Sequence, residues 1–407
     1  LKYIDFVDLK YKPAETDLIC TFYVEPDGIS LKEAAGGVAA ESSIGTWTEL
    51  TTAEPYVAKL AAHVFSTEGN VAKIAYPIEL FERGNMPNIL SSVAGNVFGL
   101  KALKNLRLND VELPAELVKS FKGPKFGIEG IRRLLKVPER PLVGTIIKPK
   151  LGLKTLDHAR VAYEAWAGGC DIVKDDENLS SQRFNLFEER VVKTLESRDK
   201  AEEETGERKV YMVNVTAETE AMLKRAEYVL DHGGEYVMVD ILTCGFSALQ
   251  TLRDQNFKLV IHAHRAGHAA FSKNPKHGIA MRAIAKVARI IGVDQLHVGT
   301  IVGKMSETRE EVLKNIDALK AEMSGLKPVM PVASGGLHPR LVPALMETFG
   351  KDFVIQAGGG IHGHTDGTRA GATAMRQAVD ATLKGISLEE YAKTHKELKV
   401  ATAHWKT

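Results

Sequence analysis

From residue 143 onward, short apolar runs alternate with longer stretches whose apolar positions recur at helical spacing. The runs are Val143–Lys148, Asp171–Lys174, Tyr211–Val215, Tyr236–Ile241, Leu259–His264, Gln295–Val298, Val329–Ala333 and Phe353–Ala357. Between them, Leu156–Trp166, Glu218–Asp231, His277–Ile291, Glu310–Met323 and Pro339–Phe349 read as amphipathic helices. Eight strand–helix units over the roughly 250 residues usual for such a fold predict a (β/α)8 TIM barrel. An open doubly wound sheet is the alternative, but no GxGxxG turn follows the first run.

The chain before residue 123 has a different rhythm. Leu18–Val24 and Val71–Tyr76 read as strands, Ser30-Leu31-Lys32-Glu33 as a capping box that opens a helix through Ala40, and Ala94–Gly99 as part of a helical region. Gly123-Pro124 breaks both periodicities. The expected fold is therefore α/β, a C-terminal barrel over 124–407 with a smaller N-terminal α+β domain over 1–123, and 407 residues suffice for two cores.

Charge narrows the partners. With 53 basic and 52 acidic residues and no charged tail, nothing points to nucleic acid or a membrane surface, and small molecules or other subunits are expected. No run approaches the roughly 18 apolar residues of a membrane span. Cys20, Cys170 and Cys244 form no CxxC pair, so reduced thiols in a soluble, cytoplasmic protein are expected.

The candidate chemistry sits at the carboxyl ends of the apolar runs, which a barrel brings to one mouth. They carry Lys148 and Lys150; Lys174, Asp176 and Glu177; Asn214; Asp240; His264 and Arg265; His297; Ser334-Gly335-Gly336; and Gly358-Gly359-Gly360. Lys174-Asp175-Asp176-Glu177 is the most unusual of these ends. Alternation places Lys174 and Asp176 on one side of the strand and Asp175 on the other, with Glu177 where strand gives way to loop. A solvated salt-bridge cluster is the ordinary fate of such a run. Here it ends a buried-looking strand, and Asp176 with Glu177 could supply two oxygen ligands to a hard cation such as magnesium. A third would come from Lys174 if its neutral amine added carbon dioxide to form a carbamate.

Glycine pairs after the seventh and eighth runs favour phosphate, whose oxygens backbone N–H groups can approach closely there. Arg265, His297 and the lysines could hold a second anion. His262 and His264 share a strand face, which raises a zinc site as a competitor. The carboxylate-rich second strand suits a harder ion, which leaves acid–base or phosphate work to His264 and a core position to His262. The glycine-flanked Lys304 reads as part of a mouth loop that could act as a lid.

These motifs together resemble the large subunit of ribulose-1,5-bisphosphate carboxylase/oxygenase. Gly144-Thr145-Ile146-Ile147-Lys148-Pro149-Lys150 is similar to that family's first-strand motif and Lys174-Asp175-Asp176-Glu177 to its metal motif. His264-Arg265-Ala266-Gly267-His268, His297-Val298-Gly299-Thr300 and Gly303-Lys304, with Glu41, Thr46, Trp47 and Asn96, fall where the family keeps its other groups. The length, Glu177-Asn178-Leu179 and the stretch Glu390–Leu398 are most similar to the archaeal form III branch, associated with nucleotide-derived ribose bisphosphate.

The resemblance implies a Mg2+-dependent enzyme that adds CO2, or O2 in competition, to the enediolate of ribulose 1,5-bisphosphate, giving 3-phosphoglycerate in the carboxylation. It implies a metal bound by carbamylated Lys174, Asp176 and Glu177, with Lys148, His264 and Lys304 as further catalytic groups. Thr46, Trp47, Gly336, Gly358 and Gly359 would hold one phosphate, Arg265, His297 and Ser334 the other. Lys150, His268 and Gly335 would be further substrate contacts. Glu41 and Asn96 would serve a neighbouring subunit, which makes a homodimer the smallest working unit. Two departures stand out: Ser306-Glu307-Thr308 replaces the usual Glu-Gly-Glu after Lys304, and Gly267 stands where methionine is common. The competing function is a related enolase or isomerase that acts on another sugar phosphate without fixing CO2.

Overall fold

Alternation along the stretch from Leu18 puts Leu18, Cys20, Phe22 and Val24 on one buried face, and this stretch is the central strand of the first unit. The structure, a computed structural model, describes residues 2–303 and 307–406. Its contacts separate a first unit, up to Gly123 with Gly267–Ile291 and Glu322–Leu326, from a second, Pro124–Ala266, Gly292–Ala321 and Lys327 onward.

In the first unit, β1 (Leu18–Pro26) lies antiparallel between β3 (Val71–Tyr76) and β4 (Leu103–Glu112), with β2 (His63–Glu68) beyond β3. The Ser30 capping box forms as expected: Ser30 Oγ accepts from the Glu33 N–H and the Glu33 carboxylate accepts from the Ser30 N–H, both at 3.2 Å. The helix it opens, Leu31–Glu41, buries Ala34, Ala35, Val38 and Ala39. Gly36 lets the chain start approach this helix, since a Cβ there would lie 2.1 Å from the Tyr3 carbonyl oxygen. The Tyr3 hydroxyl in turn donates to Glu41 at 2.7 Å.

All eight apolar runs of the second unit form strands. They are β5 (Leu142–Ile146), β6 (Ile172–Lys174), β7 (Val210–Asn214), β8 (Tyr236–Asp240) and β9 (Val260–His264), and later β11 (Gln295–His297), β12 (Met330–Ser334) and β13 (Val354–Ala357). Every neighbouring pair is parallel, and β13 pairs with β5 to close the barrel. Their inner faces meet in an apolar layer that includes Leu142, Ile172, Val210, Met238, Val260 and Val354. Between β9 and β11 the chain contributes β10 (Gly278–Ile279), which runs parallel to β4 in the first unit.

Some boundaries differ from the sequence expectation. The first run stops being a strand at Ile146, two residues before Lys148. His277–Ile291 begins as β10, because its first residues satisfy their backbone on the edge of β4, and only Met281–Ile291 is helical. The expected Glu310–Met323 helix is Arg309–Lys320, and Pro339–Phe349 opens with a 3-10 turn, as does Asn96–Gly99 after the helix Met86–Val93. Cys20 and Cys170 are buried free thiols, and no helix among the described residues is long and apolar enough to cross a membrane.

Asp294, fully buried before β11, ties the barrel to the helix Gly127–Leu135. Its carboxylate accepts from the N–H groups of Phe126 (2.7 Å), Gly127 (2.9 Å) and Ile261 (3.0 Å), and burial raises its pKa. Asp294→Ala leaves these donors without an acceptor. It should destabilise the protein by roughly 3 kcal/mol or more, read as a clear fall in Tm; an unchanged Tm would show that water replaces the carboxylate at no cost.

Candidate active site at the barrel mouth

The short strand β6 delivers Lys174 fully buried, with Asp175 and Asp176 directly after it at 0% and 2% exposure, so this run is no solvated cluster. Lys174 Nζ donates to the Asp175 carbonyl at 2.7 Å and lies 3.6 Å from Glu177 Oε2. Burial lowers the Lys174 pKa and outweighs Glu177, Asp176, Asp240 and Asp175, all of which act to raise it. The neighbouring carboxylates stabilise the ammonium, and desolvation of that ammonium is the larger effect.

Asp175 points the other way. Its carboxylate accepts from Tyr211 Oη (2.5 Å), Arg190 Nε (3.3 Å) and the Asn214 N–H (3.0 Å), and His158 Nε2 lies 3.1 Å away. Burial alone would raise the Asp175 carboxyl, but Arg190, with His158 and Tyr211, holds it down at about 2.

Around Lys174 the other strand ends converge. Lys148 Nζ is 3.2 Å from Asp176 Oδ2. Glu177 Oε2 is 3.6 Å from His264 Nε2, and Asp240 Oδ1 is 3.4 Å from His264 Nδ1. Asn214 Nδ2 donates to the carbonyls of Glu177 (3.1 Å) and Leu179 (2.9 Å), which fixes the loop after the carboxylates. Lys150 Nζ, farther out, is 3.4 Å from Asn178 Oδ1. Burial works to raise the Glu177 pKa, yet Lys174 and His264 bring it below the usual carboxylate value.

The opposite side of the mouth carries the candidate anion groups. Arg265, buried, is paired with Glu307. His297 Nδ1 is 2.8 Å from Ser334 Oγ, and its Nε2 is 2.8 Å from His262 Nε2. Gly335 and Gly336 have φ of 110° and 70°, a region that favours glycine. A Cβ on Gly358 would meet Lys148 Cε at 2.9 Å, whereas one on Gly359 would meet nothing within 4 Å. Lys304 lies outside the described residues.

Within the first unit, Glu41 is held by Tyr3, Trp47 is 82% exposed in the loop with Thr46, and Asn96 is exposed at the start of its 3-10 turn. His268 Nδ1 is 2.8 Å from Ser272 Oγ.

His262 faces His297 through one nitrogen and Gln295 Nε2 through the other, 3.1 Å away, so its two ring nitrogens are engaged inside the barrel rather than paired with His264 as zinc ligands. Among the described residues no three His, Cys, Asp or Glu side chains converge as metal ligands. Asp176 and Glu177 are two hard oxygen donors, and a cation of the magnesium type needs more. The donor set fits such an ion once Lys174, buried between them, carries a further anionic oxygen.

Sequence reading passed over His362, whose Nε2 lies 2.8 Å from the Ile146 carbonyl and 2.9 Å from Thr145 Oγ1, at the end of the strand that leads to Lys148. Burial pushes its pKa down to about 4, so it is neutral and donates Nε2–H. Its place after a triple glycine was the available signal. A separate cavity of about 740 Å³, lined by Arg140, Glu207, Arg208 and Arg376 among others, lies away from these groups. Its guanidiniums are already paired, with Asp171, Glu202 and Glu207, and it reads as a stabilising end of the barrel.

Family models match both parts of the chain. Residues 5–117 match the N-terminal domain of the ribulose bisphosphate carboxylase large chain, and residues 127–405 its catalytic domain. Proteins named ribulose bisphosphate carboxylase from Methanocaldococcus jannaschii and Pyrococcus furiosus are 52% and 54% identical, over 99% of this chain and 100% and 97% of theirs. Among solved structures, an octameric Rubisco from Pyrococcus horikoshii in complex with sulfate superposes with a TM-score of 0.96 at 53% identity, covering 99% of this chain and 97% of that one. A dimeric Rubisco from Hyperthermus butylicus gives 0.93 at 46% identity, covering 99% of each. With both domains matched and the strand ends converging as described, this chain belongs to the ribulose-1,5-bisphosphate carboxylase/oxygenase large-chain family.

Proposed function

We propose that this protein carboxylates ribulose 1,5-bisphosphate, with O2 as the competing gas, and that it works in ribose bisphosphate metabolism of the nucleotide-derived kind. The observation that carries the reading is Lys174: a fully buried lysine beside Asp176 and Glu177, facing Lys148 and His264. Burial favours the neutral amine, which is the form that adds CO2 to become a carbamate. Lys174 so modified, with Asp176 and Glu177, would hold Mg2+, which supplies charge to polarise the substrate's carbonyl and hydroxyl oxygens.

Lys174, as its carbamate, takes the C3 proton and generates the enediolate. Lys148 stabilises the negative charge that develops there. Lys304 meets the charge on CO2 as its carbon bonds to C2. His264 assists water addition at C3; the C2–C3 bond then breaks, and Lys148 delivers a proton to the C2 carbanion, completing two molecules of 3-phosphoglycerate. Thr46, Trp47, Gly336, Gly358 and Gly359 bind one phosphate, and Arg265, His297 and Ser334 the other, with Lys150, His268 and Gly335 as neighbouring contacts. Glu41 and Asn96 complete the mouth of a second subunit in a homodimer or an assembly of dimers.

The direct test is incorporation of labelled CO2 into 3-phosphoglycerate under anaerobic conditions. Preincubation with CO2 and Mg2+ together should raise initial activity above preincubation with either alone, since the cation offsets the repulsion a new anion meets among carboxylates. Equal activation by one of them would remove the carbamate from the scheme.

Lys304→Met deletes the ammonium and keeps much of the stem. It should lower CO2 fixation on the order of a hundredfold or more while metal-dependent exchange of the C3 hydrogen with solvent continues; Lys174→Ala should lose both. A wild-type protein that exchanges this hydrogen yet never fixes CO2 would instead be an enolase.

Sharing of the site between subunits is testable by complementation. Inactive Glu41→Gln and inactive Lys174→Ala chains, co-refolded into mixed dimers, should recover activity; verified mixed dimers that stay inactive would put Glu41 and Lys174 in the same subunit's site.

A further inference from the structure

A line of polar side chains runs through the barrel interior behind the mouth. Tyr236, fully buried on β8 within the apolar layer, donates its hydroxyl to Gln295 Oε1 at 3.0 Å. Gln295 Nε2 lies 3.1 Å from His262 Nδ1, His262 Nε2 2.8 Å from His297 Nε2, and His297 Nδ1 2.8 Å from Ser334 Oγ. Tyr236, Gln295 and His262 are each 0% exposed and His297 3%. Inward positions of four strands, β8, β11, β9 and β12, thus form one continuous path from the core to the mouth.

Hydrogen-bond bookkeeping gives this path a direction. A buried phenol hydroxyl needs an acceptor, and among the described residues the Tyr236 hydroxyl has the Gln295 amide. That orients the amide oxygen toward Tyr236 and the amide NH2 toward His262. A neutral imidazole has one donor and one acceptor nitrogen. Both rings are neutral, because burial depresses them well below the usual histidine range. His262 accepts at Nδ1 and therefore donates from Nε2; His297 accepts at Nε2 and therefore donates from Nδ1 to Ser334. The Ser334 hydroxyl hydrogen is left to face the mouth.

We infer that Tyr236 and Gln295 are positioning residues that set the tautomers of His262 and His297 and so make Ser334 a fixed hydrogen-bond donor to an anionic oxygen of the substrate. With the line reversed, Ser334 would give its proton to His297 and present only lone pairs to an anion. The last link rests on Ser334 as a phosphate contact in the proposed carboxylase, with His297 serving that phosphate through Ser334 rather than by an N–H of its own; the tautomers do not depend on it.

Tyr236→Phe removes one oxygen from the apolar layer, and Gln295→Leu removes the relay amide. In the intact oligomer labelled with 15N-histidine, with signals assigned through His262→Asn and His297→Asn, the wild type should show a single tautomer at each ring, Nε2–H on His262 and Nδ1–H on His297. Both variants should lose that single tautomer at His297, and inhibition by inorganic phosphate should weaken on the order of tenfold, with KM rising more than kcat falls. Opposite tautomers in the wild type, unchanged tautomers in both variants, or changed tautomers with unchanged phosphate inhibition would each overturn the inference. Failure of the carboxylase reading is seen separately, as absence of labelled 3-phosphoglycerate, and leaves the 15N result standing.

Discussion

The mouth depends on a carboxylate that faces away from it. Asp175 is held on the outer side of β6 by Arg190 and His158 from the surrounding helices, and by Tyr211 and the Asn214 N–H from β7. A three-residue strand has little pairing of its own to resist rotation, and three acids next to a buried lysine would otherwise seek solvent. Once Asp175 is anchored outward, alternation turns Lys174 and Asp176 inward together. Bringing such charges out of water costs several kcal/mol per ion, so each needs an opposite charge close by. Because the folded Asp175 pKa is depressed to about 2, its contribution is present above the ordinary aspartate range and fades only as pH falls toward that value.

The barrel was readable because each strand is a short apolar run that ends in a chemical group, and neither feature depends on knowing the contacts. Lys148, Lys174, Asp176, Glu177 and His264 follow from that pattern and meet within hydrogen-bonding or ion-pair range. The partners of Asp175 did not follow from it, since Arg190 and His158 sit on helices where an arginine or histidine looks like any surface residue until burial is known. β10 escaped for a related reason: two residues pairing on an edge carry no periodicity. The lowering of the Lys174 pKa by burial is likewise not legible, because a sequence displays charges but not the water they lose.

Inside the barrel, histidine is put to two uses. His362 and His262 are kept neutral by burial and act through fixed hydrogen bonds, His362 on the backbone before Lys148 and His262 on His297. His264, on the same strand face as His262 but one layer higher, instead lies between the carboxylates of Asp240 and Glu177. One strand thereby carries a buried scaffold histidine at one level and a candidate catalytic one at the next.

The pairing of Arg265 with Glu307 gives the anion side of the mouth an internal counter-ion. Gly299 makes room for it, since a Cβ there would lie within 3.2 Å of both the Glu307 carboxylate and Arg265 Nη2. A phosphate arriving at this guanidinium would therefore exchange with a resident anion rather than neutralise a bare cation. The net charge of the pocket would change little in the exchange, so discrimination would rest on shape and on the second negative charge of a phosphate dianion, not on bulk attraction between opposite charges.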